Sequence, residues 1–344
     1  MTLQNRLKTK LQKTPMPLSD YMAMCLYDPK AGYYTTKIPI GTAGDFTTAP
    51  EISQLFGEMM AVWALDQTQG KPHNLIEFGP GKGTLLSDIS RISEKYDLFN
   101  YFCIETSPKL TTLQKDKLKG LNCIWGHDLN ELQPHLSTKP CLFIANELLD
   151  ALPIDQYVFT QNQWHKRHVV LDNKDNFVYK DILVDTPPAI LLDKYKPPIE
   201  GDILEYSKDQ DMLMNTLTDH IKEQGGALLF VDYGYGRYIY GDTFQALRKH
   251  QPVSPLNFQG QADLTSHVNF AYYVNQAESK GLQVHLYTQA DFLKMMGVDL
   301  RCQILCKQFP EKEKIIREGL DRLINKMGYL FKVMVVKKYE KSTQ

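Results

Sequence analysis

No stretch of the chain approaches the ~18 consecutive apolar residues that cross a bilayer, and the N-terminus has no apolar core of the secretory type. The sequence therefore predicts a soluble protein without membrane insertion. Cysteine is scarce and scattered: six residues form no C-x-x-C pair and no Cys/His cluster at zinc-finger spacing. Cys103, Cys123 and Cys141 sit inside apolar runs, so the thiols read as reduced core residues and no metal site is expected. Net charge is nearly absent too, with 39 Lys and Arg against 40 Asp and Glu, a balance of -1 that gives no general attraction to nucleic acid. No internal repeat or low-complexity tract appears. What remains, 43% hydrophobic and 23% charged residues over 344 positions, suits one large core with additions or two compact units.

Against this plain background the stretch from Leu75 to Leu85 stands out: Leu-Ile-Glu-Phe-Gly-Pro-Gly-Lys-Gly-Thr-Leu. A short apolar run carrying Glu77 turns on Gly79, Gly81 and Gly83, then continues into Leu85, Leu86 and Ile89 at helical spacing. This predicts a strand, a tight turn and a helix. The glycines remove Cβ atoms where the backbone bends and a ligand approaches, and the helix N-terminus behind them offers unpaired N–H groups. The dinucleotide fingerprint is G-x-G-x-x-G, whereas here the order is G-x-G-x-G with Thr84 in the sixth place, which counts against NAD. A strand-helix connection without ligand is the bland alternative.

Upstream, helical spacing from about Pro17 to Leu26 predicts a short helix. An aromatic, Gly-punctuated loop containing Asp45 follows. Thr48 and Glu51 have capping-box spacing before a helix to about Gln67, a role compatible with ligand contact. Tyr101 to Glu105 forms a second strand, and Glu105 lies 22 positions after Gly83. A right-handed crossover of that length puts its carboxylate at the neighbouring strand end, where it can accept both hydroxyls of a ribose. Asp128 closes a third strand, Asn122 to Trp125. The fourth, Cys141 to Ala145, ends in Asn146 and Glu147, which face the crevice where open α/β sheets bind substrates. Alternation from Gln156 to Asp185 predicts a β-rich insertion. Ser207 with Gln210 caps a helix to about Gln224, and Ala227 to Val231 is a buried strand ending in Asp232. The segment Thr243 to Asp263 has no clear fold. Further on, the sequence predicts a helix from Phe270 to Lys280, a strand from Gln283 to Tyr287, and a short helix capped by Thr288 and Asp291 and ended by Gly297. A charged helix around Glu311 to Met327 and a last strand from Tyr329 to Lys337 complete the pattern.

The strand-end carboxylates Glu77 and Glu105 around the glycine turn resemble the first two motifs of class I S-adenosylmethionine-dependent methyltransferases. More specifically, several blocks resemble the MidA-like methyltransferase family, which includes the mitochondrial complex I assembly factor of that type and its bacterial relatives. They are Gly44-Asp45-Phe46, Pro50 to Gln54, Glu77 to Leu85, Asn146 to Pro153, Val231-Asp232-Tyr233-Gly234, Asp263-Leu264-Thr265 and Met296 to Asp299. The resemblance covers most of the chain. It implies an α/β fold: a Rossmann-like, seven-stranded class I sheet with an N-terminal helical extension and a β-rich insertion. It also implies S-adenosyl-L-methionine as cofactor, an adenine contact for Asp128, and protein arginine methylation, symmetric and on a complex I subunit in the mitochondrial branch. Asn146 departs from the family pattern, where mitochondrial relatives carry His, and Lys82 stands where Arg is frequent.

The expected organisation is an N-terminal extension and cofactor-covering loop over 1-70, a cofactor-binding domain over 71-153 and 207-344, and a substrate-side insertion over 154-206. Expected cofactor contacts are Glu77, Gly79, Gly81, Gly83, Glu105, Asp128, Thr48 and Glu51. Glu147, Asn146 and Asp45 are the expected catalytic groups, with Glu51 and Asp232 behind them, because a guanidinium needs carboxylates to orient it. The expected partner is an arginine-bearing protein, with no nucleic acid, and a homodimer is left open. A non-catalytic assembly protein and a small-molecule methyltransferase are the alternative readings. Arg6, Lys8, Lys10 and Lys13 suggest a mitochondrial leader, but the segment is short and runs into folded-looking sequence at Leu18. The expected location is bacterial cytoplasm, or the mitochondrial matrix for a eukaryotic source.

Overall fold

The apolar runs pair into a central sheet in the computed structural model, which describes residues 1–38, 41, 47–136, 138–184, 186–188 and 193–338. Its seven principal strands are β1 (His73–Phe78), β2 (Phe99–Ile104), β3 (Cys123–Gly126), β4 (Cys141–Asn146), β5 (Gly226–Tyr235), β6 (Leu282–Thr288) and β7 (Phe331–Lys338). They lie in the order β6-β7-β5-β4-β1-β2-β3. β1 to β5 pair in parallel, while β7 runs antiparallel between β5 and β6. This is the seven-stranded class I architecture that the resemblance implies. Every residue of β1 is buried, because helices cover both faces of a parallel sheet. Phe56, Leu86 and Leu305 pack against Ile144, Leu229 and Val333 on one face; Met214, Ile221 and Phe270 pack against Phe143, Phe230 and Met334 on the other.

Strand register brings the functional ends together. Phe78 lies beside Ala145 on one side and Ile104 on the other, and Asn146 lies beside Val231. The carboxyl ends of β1, β2, β4 and β5 thus meet around the point where the chain order reverses between β1 and β4, the usual place for a ligand crevice in such sheets.

The N-terminal region contains a helix that the sequence reading missed, Leu3–Leu11. Leu3, Leu7 and Leu11 share one buried face against Leu18, Met22, Val169 and Leu264, while Arg6 pairs with Asp28 at 2.7 Å. The basic residues attract the eye, but the leucine spacing carries the structure. The expected helix after Pro17 is present as Leu18–Tyr27.

The alternation after Gln156 forms an antiparallel sheet of Asp155–Thr160, Gln163–Leu171, Phe177–Leu183 and Ile203–Tyr206, with Met16–Pro17 added beside Gln163–Leu171. The unread segment after Thr243 folds as three short strands, Gln245–Arg248, Gln251–Val253 and Asp263–Thr265. Its two-residue turn has Lys249 and His250 both at positive φ, 52° and 61°, a hairpin conformation disguised by residues that seldom adopt it. This hairpin sets the position of Asp263.

Caps expected at Ser207 and Thr288 are formed, each oxygen accepting from the N–H three residues on at 3.1 Å. The Thr48 cap is not. Thr48 makes no side-chain cap bond to the one-turn helix Ala49–Ile52, and the long helix Gln54–Thr68 starts instead at Ser53, whose Oγ accepts from Leu55 at 3.3 Å. Gly297, expected to stop a helix, does so at φ +90° and at once opens another, Val298–Gln308.

Candidate active site

The carboxyl ends of the strands open into a cleft of 680 Å³, a volume suited to a nucleoside-sized ligand with part of a second group. One end is built on β1 and β2. Gly79, Gly81 and Gly83 all have positive φ, at 60°, 55° and 78°, so the turn uses the one residue type that takes this conformation without strain. A Cβ on Gly79 would lie 3.0 Å from Leu148, and the Gly81 carbonyl accepts from Gln114 at 2.9 Å. Behind the turn stands the N-terminus of the helix Thr84–Ser93.

Two carboxylates face this end. Glu77 is 3% exposed, and its Oε2 has no hydrogen-bond partner among the described residues. Burial pushes its pKa up to about 8, with the Glu105 charge adding to a rise that a Leu86 backbone hydrogen bond opposes. A buried carboxylate oxygen without a donor is costly, so the position fits a ligand that brings a cationic N–H. Glu105 accepts from the Ser107 N–H at 2.7 Å on Oε1 and from Gln114 at 2.9 Å on Oε2. Each oxygen retains acceptor capacity for a hydroxyl. Burial raises its pKa as well.

The other end is built on the residues following β4. Glu147 is a non-glycine residue at φ +50°, and its Oε1 accepts from the Ala49 N–H and from Asn146 Nδ2, both at 3.1 Å. The Asn146 Oδ1 is buried and has no partner among the described residues. Burial pushes the Glu147 pKa up to about 8, and the charges of Asp150 and Asp263 push the same way against its two donors. Burial raises Asp150 to about 6, although the Tyr233 hydroxyl donates to it. Asp232 is pushed up by burial and by Asp150 and Glu147, against backbone donors that favour its charged form. No lysine or arginine among the described residues forms an ion pair with Glu147, Asp150 or Asp232. Such a cluster draws a cation.

Thr48, Glu51, Glu77, Gly79, Gly81, Glu105, Asn146 and Glu147, all singled out from sequence, line this one cleft. Glu51 accepts from the Thr84 hydroxyl and lies 3.4 Å from Lys82 Nζ, which ties the loop before the long helix to the glycine turn. Gly83 lies behind the lining, and Asp128 is exposed, its Oδ1 accepting from the Glu131 N–H at 2.9 Å. Asp45 lies outside the described residues. Sequence reasoning passed over Tyr27 and Tyr34, which wall the cleft from the N-terminal region. Their hydroxyls donate to the Ala151 carbonyl at 2.8 Å and to Asp263 at 2.9 Å. Their only signal was the aromatic, Gly-punctuated composition of that stretch.

A family model described as "Putative S-adenosyl-L-methionine-dependent methyltransferase" matches residues 56–288. The Danio rerio protein arginine methyltransferase NDUFAF7, mitochondrial, is 31% identical over 94% of this chain and 83% of its own length. The Drosophila melanogaster homolog of that protein is 30% identical over 97% of this chain and 84% of its own. A Burkholderia thailandensis protein, solved with S-adenosyl-homocysteine bound, superposes with a TM-score of 0.85 at 23% identity, covering 98% of this chain and 92% of that one. At that identity the superposition establishes the fold.

Proposed function

Since the chain belongs to the S-adenosyl-L-methionine-dependent methyltransferase family, we propose that its methyl acceptor is an arginine guanidinium on a protein. The observation that carries this reading is the acceptor end of the cleft, where, among the described residues, Glu147, Asp150 and Asp232 gather without a basic partner and Asn146 offers an unpaired acceptor. The names of the relatives support the same acceptor.

In this reading Glu77 Oε2 takes the cofactor's ammonium group, Glu105 takes its ribose hydroxyls, and the glycine turn admits it closely. The bound cofactor supplies a methyl group already activated by sulfonium charge, so the protein's share is alignment and exclusion of water. Glu147 holds the guanidinium by charge, and Asn146 Oδ1 accepts one of its N–H groups, which turns one nitrogen toward the methyl. The nitrogen that accepts the methyl releases a proton, and Glu147 in its ionised form, with a pKa of about 8, is placed to receive it. Tyr27 and Tyr34 shield this end from water.

The finer reading places the arginine on a respiratory complex I subunit or its bacterial counterpart, with symmetric dimethylation, supported by the MidA-like blocks. A mitochondrial matrix location follows for a eukaryotic source, as the names of the relatives suggest, and the cytoplasm for a bacterial one. We assign residues 1-70 to the covering extension, 71-153 and 207-344 to the cofactor domain, and 154-206 to the substrate side.

The test is transfer of labelled methyl from S-adenosyl-L-methionine to a respiratory membrane fraction, followed by acid hydrolysis. The expected product is symmetric dimethylarginine in a complex I subunit. Label confined to small molecules, or no label from a protein that binds the cofactor, would overturn the arginine reading.

A further inference from the structure

We propose that Asp232, at the carboxyl end of β5, is the positioning residue that sets the direction of the Glu147 carboxylate. The inference rests on Glu147 being the acceptor-side carboxylate. Four consecutive amides, those of residues 147 to 150, donate to just two residues on β5. The Glu147 N–H reaches the Val231 carbonyl at 2.8 Å, and the N–H groups of Leu148, Leu149 and Asp150 reach Asp232 Oδ2 at 3.1, 2.8 and 3.2 Å. Asp232 Oδ1 accepts a further N–H, that of Tyr233, at 2.9 Å. With both oxygens engaged and 1% exposure, its side chain is fixed against the strand.

The turn held in this way is one the chain does not adopt freely. Glu147 stands at φ +50°, where its Cβ crowds the following carbonyl, and such a residue persists only when its surroundings impose the conformation. Its own side chain contributes the Ala49 and Asn146 contacts, but the backbone direction comes from β5. Replacing Asp232 removes the acceptor of four N–H groups, those of Leu148, Leu149, Asp150 and Tyr233, and frees the turn to relax. The cofactor end keeps its own supports, because Glu77, the glycine turn and Glu105 are carried on β1 and β2 and make no bond to Asp232. Asp232 therefore acts on the acceptor through Glu147 and does not itself touch the reacting atoms.

The test compares full-length wild type with Asp232→Ala and with Asp232→Asn, which keeps one acceptor oxygen. Three quantities are read: amide hydrogen exchange by segment, calorimetric affinity for S-adenosyl-L-methionine, and steady-state transfer to the respiratory fraction. The expected result is faster exchange confined to residues 147 to 150 and the Tyr233 amide, cofactor affinity within about twofold, and kcat lower by on the order of 10²-fold for the alanine variant. The asparagine variant should fall between. Faster exchange across β4 and β5 together with lost cofactor affinity would make Asp232 a general structural residue and overturn the proposal; so would wild-type exchange and kcat. If wild type transfers no methyl to protein, the arginine reading alone fails, and the exchange pattern with cofactor affinity still decides on Asp232.

Discussion

The two ends of one cleft are built in opposite ways. The proposed cofactor end comes from a continuous run, Glu77 to Gly81, plus Glu105 one crossover later, all carried at the ends of two adjacent strands. The proposed acceptor end is assembled from Tyr27 and Tyr34, Thr48, Asn146 and Glu147, and is backed by the neighbouring Asp150 and by Asp232 and Asp263 from two further places in the chain. A ligand shared by a whole enzyme class can be met by a local motif. An acceptor particular to one family is met by segments that only tertiary packing brings together, so this end depends on buried hydrogen bonds for its shape.

The sharpest way to break the comparison is Gly81→Val. A β-branched side chain at φ +55° is strained and projects where the turn must stay open, so cofactor binding and transfer should both vanish while circular dichroism remains native. Retained binding would remove the turn from the site. Next in size, Glu147→Gln keeps the shape but not the charge, and transfer should fall on the order of 10²-fold. Its pH profile sharpens the point: with a pKa near 8, wild-type kcat/KM should climb as pH rises through about 8, and the variant should lose that limb.

Stability should move the other way with pH. Glu77 and Glu147 hold their protons in the folded chain up to about 8 but release them near 4.5 when unfolded, so the folded state binds more protons between those values. Wild-type Tm should therefore drop from pH 5 to pH 8 by several degrees, while a Glu77→Gln, Glu147→Gln double variant drops less; scanning calorimetry checks the slopes. The smallest effect belongs to Asp128→Ala. Its carboxylate caps a one-turn helix outside the cleft lining, so about 1 kcal/mol of stability and little cofactor affinity should be lost. A larger loss of affinity would extend the cofactor end to β3 and give Asp128 the adenine contact that the resemblance implies.

The same contrast explains what the sequence reveals. Glycine spacing, the carboxylates Glu77 and Glu105, and strand alternation are properties of a few neighbouring residues, so the central sheet and half the cleft could be read directly. Asn146 and Glu147 were legible because they end a buried strand. Tyr34 was not, since its significance lies in a hydrogen bond to Asp263, 229 positions away. The hairpin against which the strand of Asp263 pairs hid behind Lys249 and His250, residues without turn character. Thr48 was misread as a helix cap because the T-x-x-E spacing says nothing of Ser53, which caps the long helix instead.

The division of labour in the cleft is tested most directly by titrating S-adenosyl-homocysteine into wild type, Glu77→Gln and Glu147→Gln side by side. Affinity should be about tenfold weaker for Glu77→Gln, the size of one lost charged hydrogen bond, and unchanged for Glu147→Gln. Equal weakening in both variants would contradict this division, placing Glu147 on the cofactor and leaving the acceptor without its carboxylate.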